Sequence, residues 1–174
     1  MVTKIITETQ WKKLQSETFS TIMAIMETVD VLIKHTQAPA YGKNTTHIMC
    51  SALYTHAVEE YGKLLYLQPL LPNNGFVEID YDAKFKNHRF KFPLALSKLP
   101  ESCKVLNDGP FSSDAFDSAI FDTGTISDWN TRLTIFNTDF DENGNVKPYP
   151  TIDLKKLQQA VFDFRTEMYG VKLP

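Results

Sequence analysis

Between Thr7 and Thr36 the residues Trp11, Leu14, Thr18, Ile22, Ile25, Val29 and Leu32 recur at spacings of three and four. That period matches the helical repeat of about 3.6 residues, so one long amphipathic helix is predicted, and it must find an apolar partner. Thr7 with Gln10 three residues later has the form of a capping box at its start. The stretch APAYGKN then breaks the pattern, with Pro39 and Gly42 marking a turn.

A second helix is predicted from Asn44 to Gln68, stopping before Pro69. Wound at about 100° per residue, it carries Cys50, Tyr54, Ala57, Val58, Tyr61 and Leu65 on one side. Met49, Leu53, His56, Glu60, Lys63, Leu64 and Leu67 fall on a different side. Ser51, Thr55, Glu59, Gly62 and Tyr66 are left as a narrow outer face. A helix apolar over most of its circumference belongs at the centre of a bundle.

Further on, PLLPNNGF reads as a loop, and YDAKFKNHRFKFPLAL resumes helical spacing through Phe85, His88 or Arg89, and Phe92. Residues 97–127 are expected to form a long connection with a short helix near Ser113 to Phe121, because they are rich in Asp, Ser, Gly and Pro. Residues 131–150 alternate and turn at Asn143 and Gly144, predicting a small β-hairpin or extended insertion. The last helix places Leu154, Leu157, Val161, Phe164 and Met168 inward and ends at Gly170. With 174 residues, 43% of them hydrophobic, one all-α domain covering 1–174 is expected.

Composition removes several functions. The 18 basic and 21 acidic residues give a net charge of -3, without the global basic field that drives non-specific nucleic-acid binding, and no DNA partner is expected. Two cysteines without a CxxC pair supply neither a disulfide framework nor a zinc knuckle. No apolar run has the length of a signal peptide or a membrane span, so a cytoplasmic protein without a membrane partner is expected. The seven glycines never cluster, which excludes a P-loop or GxGxxG turn, and GxSxG and HExxH do not occur. DFDENG, residues 139–144, imitates half a calcium loop, but its twelfth position falls on Pro150 where a glutamate is required, so a hairpin turn is the better reading.

The stretch HAVEEYGK, residues 56–63, concentrates charge in this otherwise apolar helix. His56 and Glu60 are one turn apart and could share a metal ion, but Lys63 a turn further brings an ammonium to the same place, so no metal is expected. Glu59 and Lys63 have the spacing of a helical ion pair. Glu60, facing inward, needs a partner, and the third segment offers Lys84, His88 and Lys91 on one face with Arg89 beside them. Glu60, Lys63, Lys84, His88, Arg89 and Lys91 are therefore the candidate site, with His88 as acid or base. The same groups also suit a purely architectural ion network in a protein-interaction module, and a small-molecule pocket inside the bundle is a third reading.

The ordered pair ALYTHAVEEYGKLLYL and FKNHRFKF, followed much later by RLTIFNTDFDENGNVKPYP, resembles the abortive-infection AbiV family, a branch of the HEPN superfamily. The matching positions are Ala57, Glu59, Glu60, Gly62 and Lys63, then Phe85, His88, Arg89 and Lys91, then Arg132 with the run to Pro150. The resemblance implies an up-and-down HEPN-like helical bundle, a homodimer packed through the long helices, and a role in prokaryotic phage defence or stress response. RNA or a phage or host protein is the partner it implies, without a cofactor. Many HEPN domains are metal-independent ribonucleases that use an arginine followed four to six residues later by a histidine. Arg89, Arg132 and Arg165 all lie after His88, so that motif is absent here, and Lys84 occupies the nearest equivalent position.

Overall fold

The computed structural model describes residues 2–35, 40–104 and 154–174. Most of these are helical. The chain opens with strand β1 (Thr3–Thr7) and enters helix α1 (Glu8–His35). Helix α2 (Ala40–Leu67), strand β2 (Phe76–Asp80), a π-helical turn (Tyr81–Phe85) and helix α3 (His88–Leu96) follow. A 3-10 turn (Glu101–Cys103) and helix α4 (Leu154–Tyr169) complete the described elements.

The start of α1 is fastened by the predicted capping box: the Thr7 amide donates to Gln10 Oε1 at 2.9 Å, and the Gln10 amide donates to Thr7 Oγ1 at 3.2 Å. At 28 residues each, α1 and α2 are about 40 Å long. They run antiparallel, because the beginning of α1 meets the end of α2: Trp11 Nε1 donates to the Leu67 carbonyl at 3.0 Å. That bond adds a second donor to a carbonyl of the last helical turn, which also accepts from the Leu70 amide at 3.3 Å.

One core cluster joins Ile22, Met26 and Val29 of α1 to Tyr54, Val58, Tyr61 and Leu64 of α2 and Leu157, Val161, Phe164 and Met168 of α4. A smaller one places Trp11, Tyr66 and Leu67 beneath Val77 and Ile79 of β2. The α4 stripe is the one the sequence predicts. On α1 the buried stripe includes Met26, while Ile25 is only partly covered.

Two expectations differ from the structure. Among the described residues the sheet is an antiparallel pair of β1 with β2, in the register Ile5 to Glu78 and Ile6 to Val77. Five residues of β1 carry too weak a local signal to be read as a strand until their partner, more than sixty residues away, is known. Secondly, residues 81–96 are not one helix. Asp80 Oδ1 accepts from the Ala83 amide at 3.0 Å and Asn87 Oδ1 accepts from the Arg89 amide at 3.0 Å, so each starts its own segment. PLLPNNGF is the expected loop, and it closes in a tight turn with Asn74 at φ 51 and Gly75 at φ 81 and paired bonds between Asn73 and Phe76. The hairpin at 131–150, the short helix near Ser113 to Phe121 and most of the 97–127 connection lie outside the described residues.

Cys50 and Cys103 lie in the main core. Burial pushes both thiols from the ordinary 9.0 up to about 11, for Cys103 with help from the nearby Asp163 charge. In the unfolded chain they would ionise first, so the folded state binds more protons between these values. Stability is therefore held below about pH 9 and lost as pH rises toward about 11, by roughly 2–3 kcal/mol per thiol. Thermal unfolding at about pH 8 and about pH 10.5 should show a fall that Cys50→Ala reduces. An identical fall in that variant would remove Cys50 from the account.

Candidate functional site

Helix α3 approaches α2 more closely than side chains normally allow. A Cβ at Gly62 would stand 1.9 Å from the Lys91 carbonyl oxygen and 2.6 Å from its carbon. Only glycine tolerates that approach, which gives this mid-helix glycine its physical role. Around the crossing, Ser51, Thr55, Glu59 and Tyr66 are all buried, at 2%, 8%, 3% and 8% exposure. The face expected to look outward is thus the face that receives α3 and β2. His56, expected on an inner side, is exposed, as is Met49.

A carboxylate carried into such an interface requires a partner. For Glu59 it is His88, the first residue of α3, whose Nδ1 lies 3.0 Å from Glu59 Oε2. Because a carboxylate can only accept, the Nδ1–H of His88 is the donor in this contact. The His88 side chain is 42% exposed against 4% for Glu59. An acceptor buried behind a half-open imidazole is the arrangement by which a general base is oriented.

Glu60 is buried as expected, but its partner is not the basic segment. Lys63 Nζ donates to both its oxygens, at 2.7 and 2.5 Å, within α2. The expected pairing of Glu59 with Lys63 is replaced by this one, while acid and base meet between the helices through Glu59. Lys91 is 4% exposed, on the inner side of the crossing, whereas Lys84 and Arg89 are exposed. Lys84, His88 and Lys91 therefore do not share one face: the break at Lys86 and Asn87 resets the helical register. Among the described residues no group of three or more His, Cys, Asp or Glu side chains is gathered to hold a metal ion. His56 points outward and Glu60 is already bonded to lysine.

Beside this centre the π-helical turn carries a second set of groups, its rings Tyr81 and Phe85 half-buried and Phe85 packed against the smaller core cluster. Tyr81 and Phe85 are stacked, their centroids 5.6 Å apart and their planes 17° apart. Lys4 Nζ stands 3.6 Å from the Tyr81 centroid, Lys86 Nζ 4.8 Å from it, and Lys63 Nζ 5.3 Å from the Phe85 centroid. Lys84 Nζ is 5.8 Å from both Tyr66 and Phe90, which meet edge to face. Glu59 and Gly62 are the site residues that the helical wheel sent to solvent. The signal that could have retrieved them is the glycine itself, since glycine inside a strong helix marks close backbone approach.

No helix among the described residues is long and apolar enough to cross a membrane. Comparison of the chain with protein-family models, curated proteins and solved structures finds no match, so the meaning of the site rests on its own geometry.

Proposed function

We propose that this chain is an AbiV-like helical protein of HEPN type acting in prokaryotic phage defence or stress response, and that Glu59 and His88 form an acid–base centre that works on RNA. The observation that supports it is the 3.0 Å contact between a buried Glu59 carboxylate and the Nδ1 of a half-exposed His88. His88 Nε2 takes the proton of a ribose 2′-hydroxyl, and the 2′-oxygen attacks the adjacent phosphorus. The bond from phosphorus to the 5′-oxygen breaks, that oxygen leaves with a proton from water, and a 2′,3′-cyclic phosphate remains. Glu59 stabilises the imidazolium that forms, while the exposed Arg89 and Lys84 face the charge developing on the phosphorane. Lys91, on the inner side of the crossing, holds position, and Lys63 keeps Glu60 neutralised. DNA, which lacks the 2′-hydroxyl, is not a substrate. The proposed protein acts in the cytoplasm, as expected of a sequence without an apolar run of membrane-span length, and as the homodimer that the resemblance implies.

Purified protein incubated with RNA in excess chelator should produce ends carrying cyclic phosphate. His88→Ala should lower the rate by about 10²- to 10⁴-fold, and Glu59→Gln by less while preserving the fold. RNA left intact by the wild type, or cut equally by His88→Ala, would remove the catalytic reading. A non-catalytic interaction module is then the better description, favoured by the burial of Glu59 and Lys91 at the helix crossing. In that case a double-mutant cycle on Glu59 and His88 shows coupling in stability and none in activity.

A further inference from the structure

We infer that the Tyr81 and Phe85 stack with its surrounding lysines is a docking platform for the unpaired bases of single-stranded RNA; the choice of RNA rests on the function proposed above. The chain as a whole has a net charge of -3. Within residues 81–91, however, the exposed Lys84, Lys86 and Arg89 face one acid, Asp82, a local net of +2 with His88 neutral, while Lys91 is buried at the crossing. Lys4 arrives from β1, whose pairing opposite Ile79 brings it to the turn, so the sheet completes the patch. Of the nearby acids, Asp80 is engaged in capping the turn, Glu60 is bonded to Lys63 and Glu59 is buried against His88, which leaves Asp82 and Glu78 exposed.

Aromatic rings interleaved with cations are what a flexible strand requires, since bases stack on rings and phosphates meet the cations between them. In the free protein lysine ammonium groups stand over these rings. A stacked base gains more per ring than an exposed cation–π contact does, so a base displaces the ammonium of Lys4 from Tyr81. The released lysine is then within reach of the neighbouring phosphate. Duplex RNA, whose bases are already stacked on each other, gains nothing at the rings. Because the turn leads through Lys86 and Asn87 directly into His88, a strand held here passes the acid–base pair.

The test uses a short fluorescein-labelled 2′-O-methyl RNA, which lacks the free 2′-hydroxyl and so reports binding apart from cleavage. Fluorescence anisotropy should show that Tyr81→Ala weakens binding about ten- to a hundredfold. Tyr81→Trp should retain it, and Lys86→Gln should flatten the salt dependence. Equal affinity of Tyr81→Ala and wild type, with matching thermal unfolding, would overturn the platform even if RNA is cut. Equal binding of duplex and single strand would overturn it too. Tight single-strand binding that depends on Tyr81, without cleavage of unmodified RNA, keeps the platform and rejects the catalytic proposal.

Discussion

Gly62→Ala is expected to push α3 off α2 and to disable the candidate site in the same step. Its new methyl would occupy space 1.9 Å from the Lys91 carbonyl oxygen, a backbone atom that cannot rotate away. Forcing a group into a filled interface costs about 3 kcal/mol at the upper end of the usual range, against about 1 kcal/mol gained from alanine's better helix propensity. A net loss of about 2 kcal/mol corresponds to a fall in Tm of roughly 4–8 °C for a chain of this size. His88 is carried on α3, so its contact with Glu59 should lengthen together with the loss of stability. Circular dichroism melting combined with the imidazole resonances of His88 reads both effects. A variant that melts with the wild type and keeps the His88 resonances would show that the two helices are not in backbone contact.

Phe164→Ala should be the most damaging single truncation among the described residues. Phe164 is 0% exposed and meets Tyr54 edge on at 6.1 Å and Tyr61 at 5.3 Å, so one ring docks α4 against α2. Removing a buried phenylalanine costs about 3–5 kcal/mol through lost transfer energy and the cavity left behind, and the two ring contacts place this residue toward the top of that range. Urea unfolding should show the midpoint falling with little change in slope. A loss under about 1 kcal/mol would mean that α4 does not complete the core. Comparing the two variants separates core from site, because Phe164 belongs to the main core cluster whereas Phe85 of the π-helical turn packs against the smaller one and Gly62 meets α3 at Lys91. Tyr81-dependent binding should survive in whatever fraction of Phe164→Ala stays folded.

The helices announced themselves because their signal is local. Leu157, Val161, Phe164 and Met168 follow a helical period along one face, and any compact arrangement has to bury that stripe. The Thr7 and Gln10 box closes over three residues, so it too was legible from neighbours alone. For α2 the same reasoning put Ser51, Thr55, Glu59 and Gly62 in solvent, since small and polar residues make the least costly outer surface. What placed Glu59 and Gly62 inside was α3: the glycine allows close backbone approach, and His88 supplies the hydrogen bond that makes a buried Glu59 tolerable. Likewise the charge in 56–63 marked a polar centre, but only the break at Asn87 decided that His88 would meet Glu59 while Lys84 stayed exposed.

Periodicity, capping and charge pattern thus determined α1, α2 and α4 and the presence of an acidic and a basic segment. Tertiary structure alone decided which acid pairs with which base, that β1 joins β2, and that Lys4 reaches Tyr81. The physical reason is one of range. A helix is specified by residues three and four apart, whereas the burial of a polar group and the pairing of a strand depend on partners that the chain brings together only when it folds.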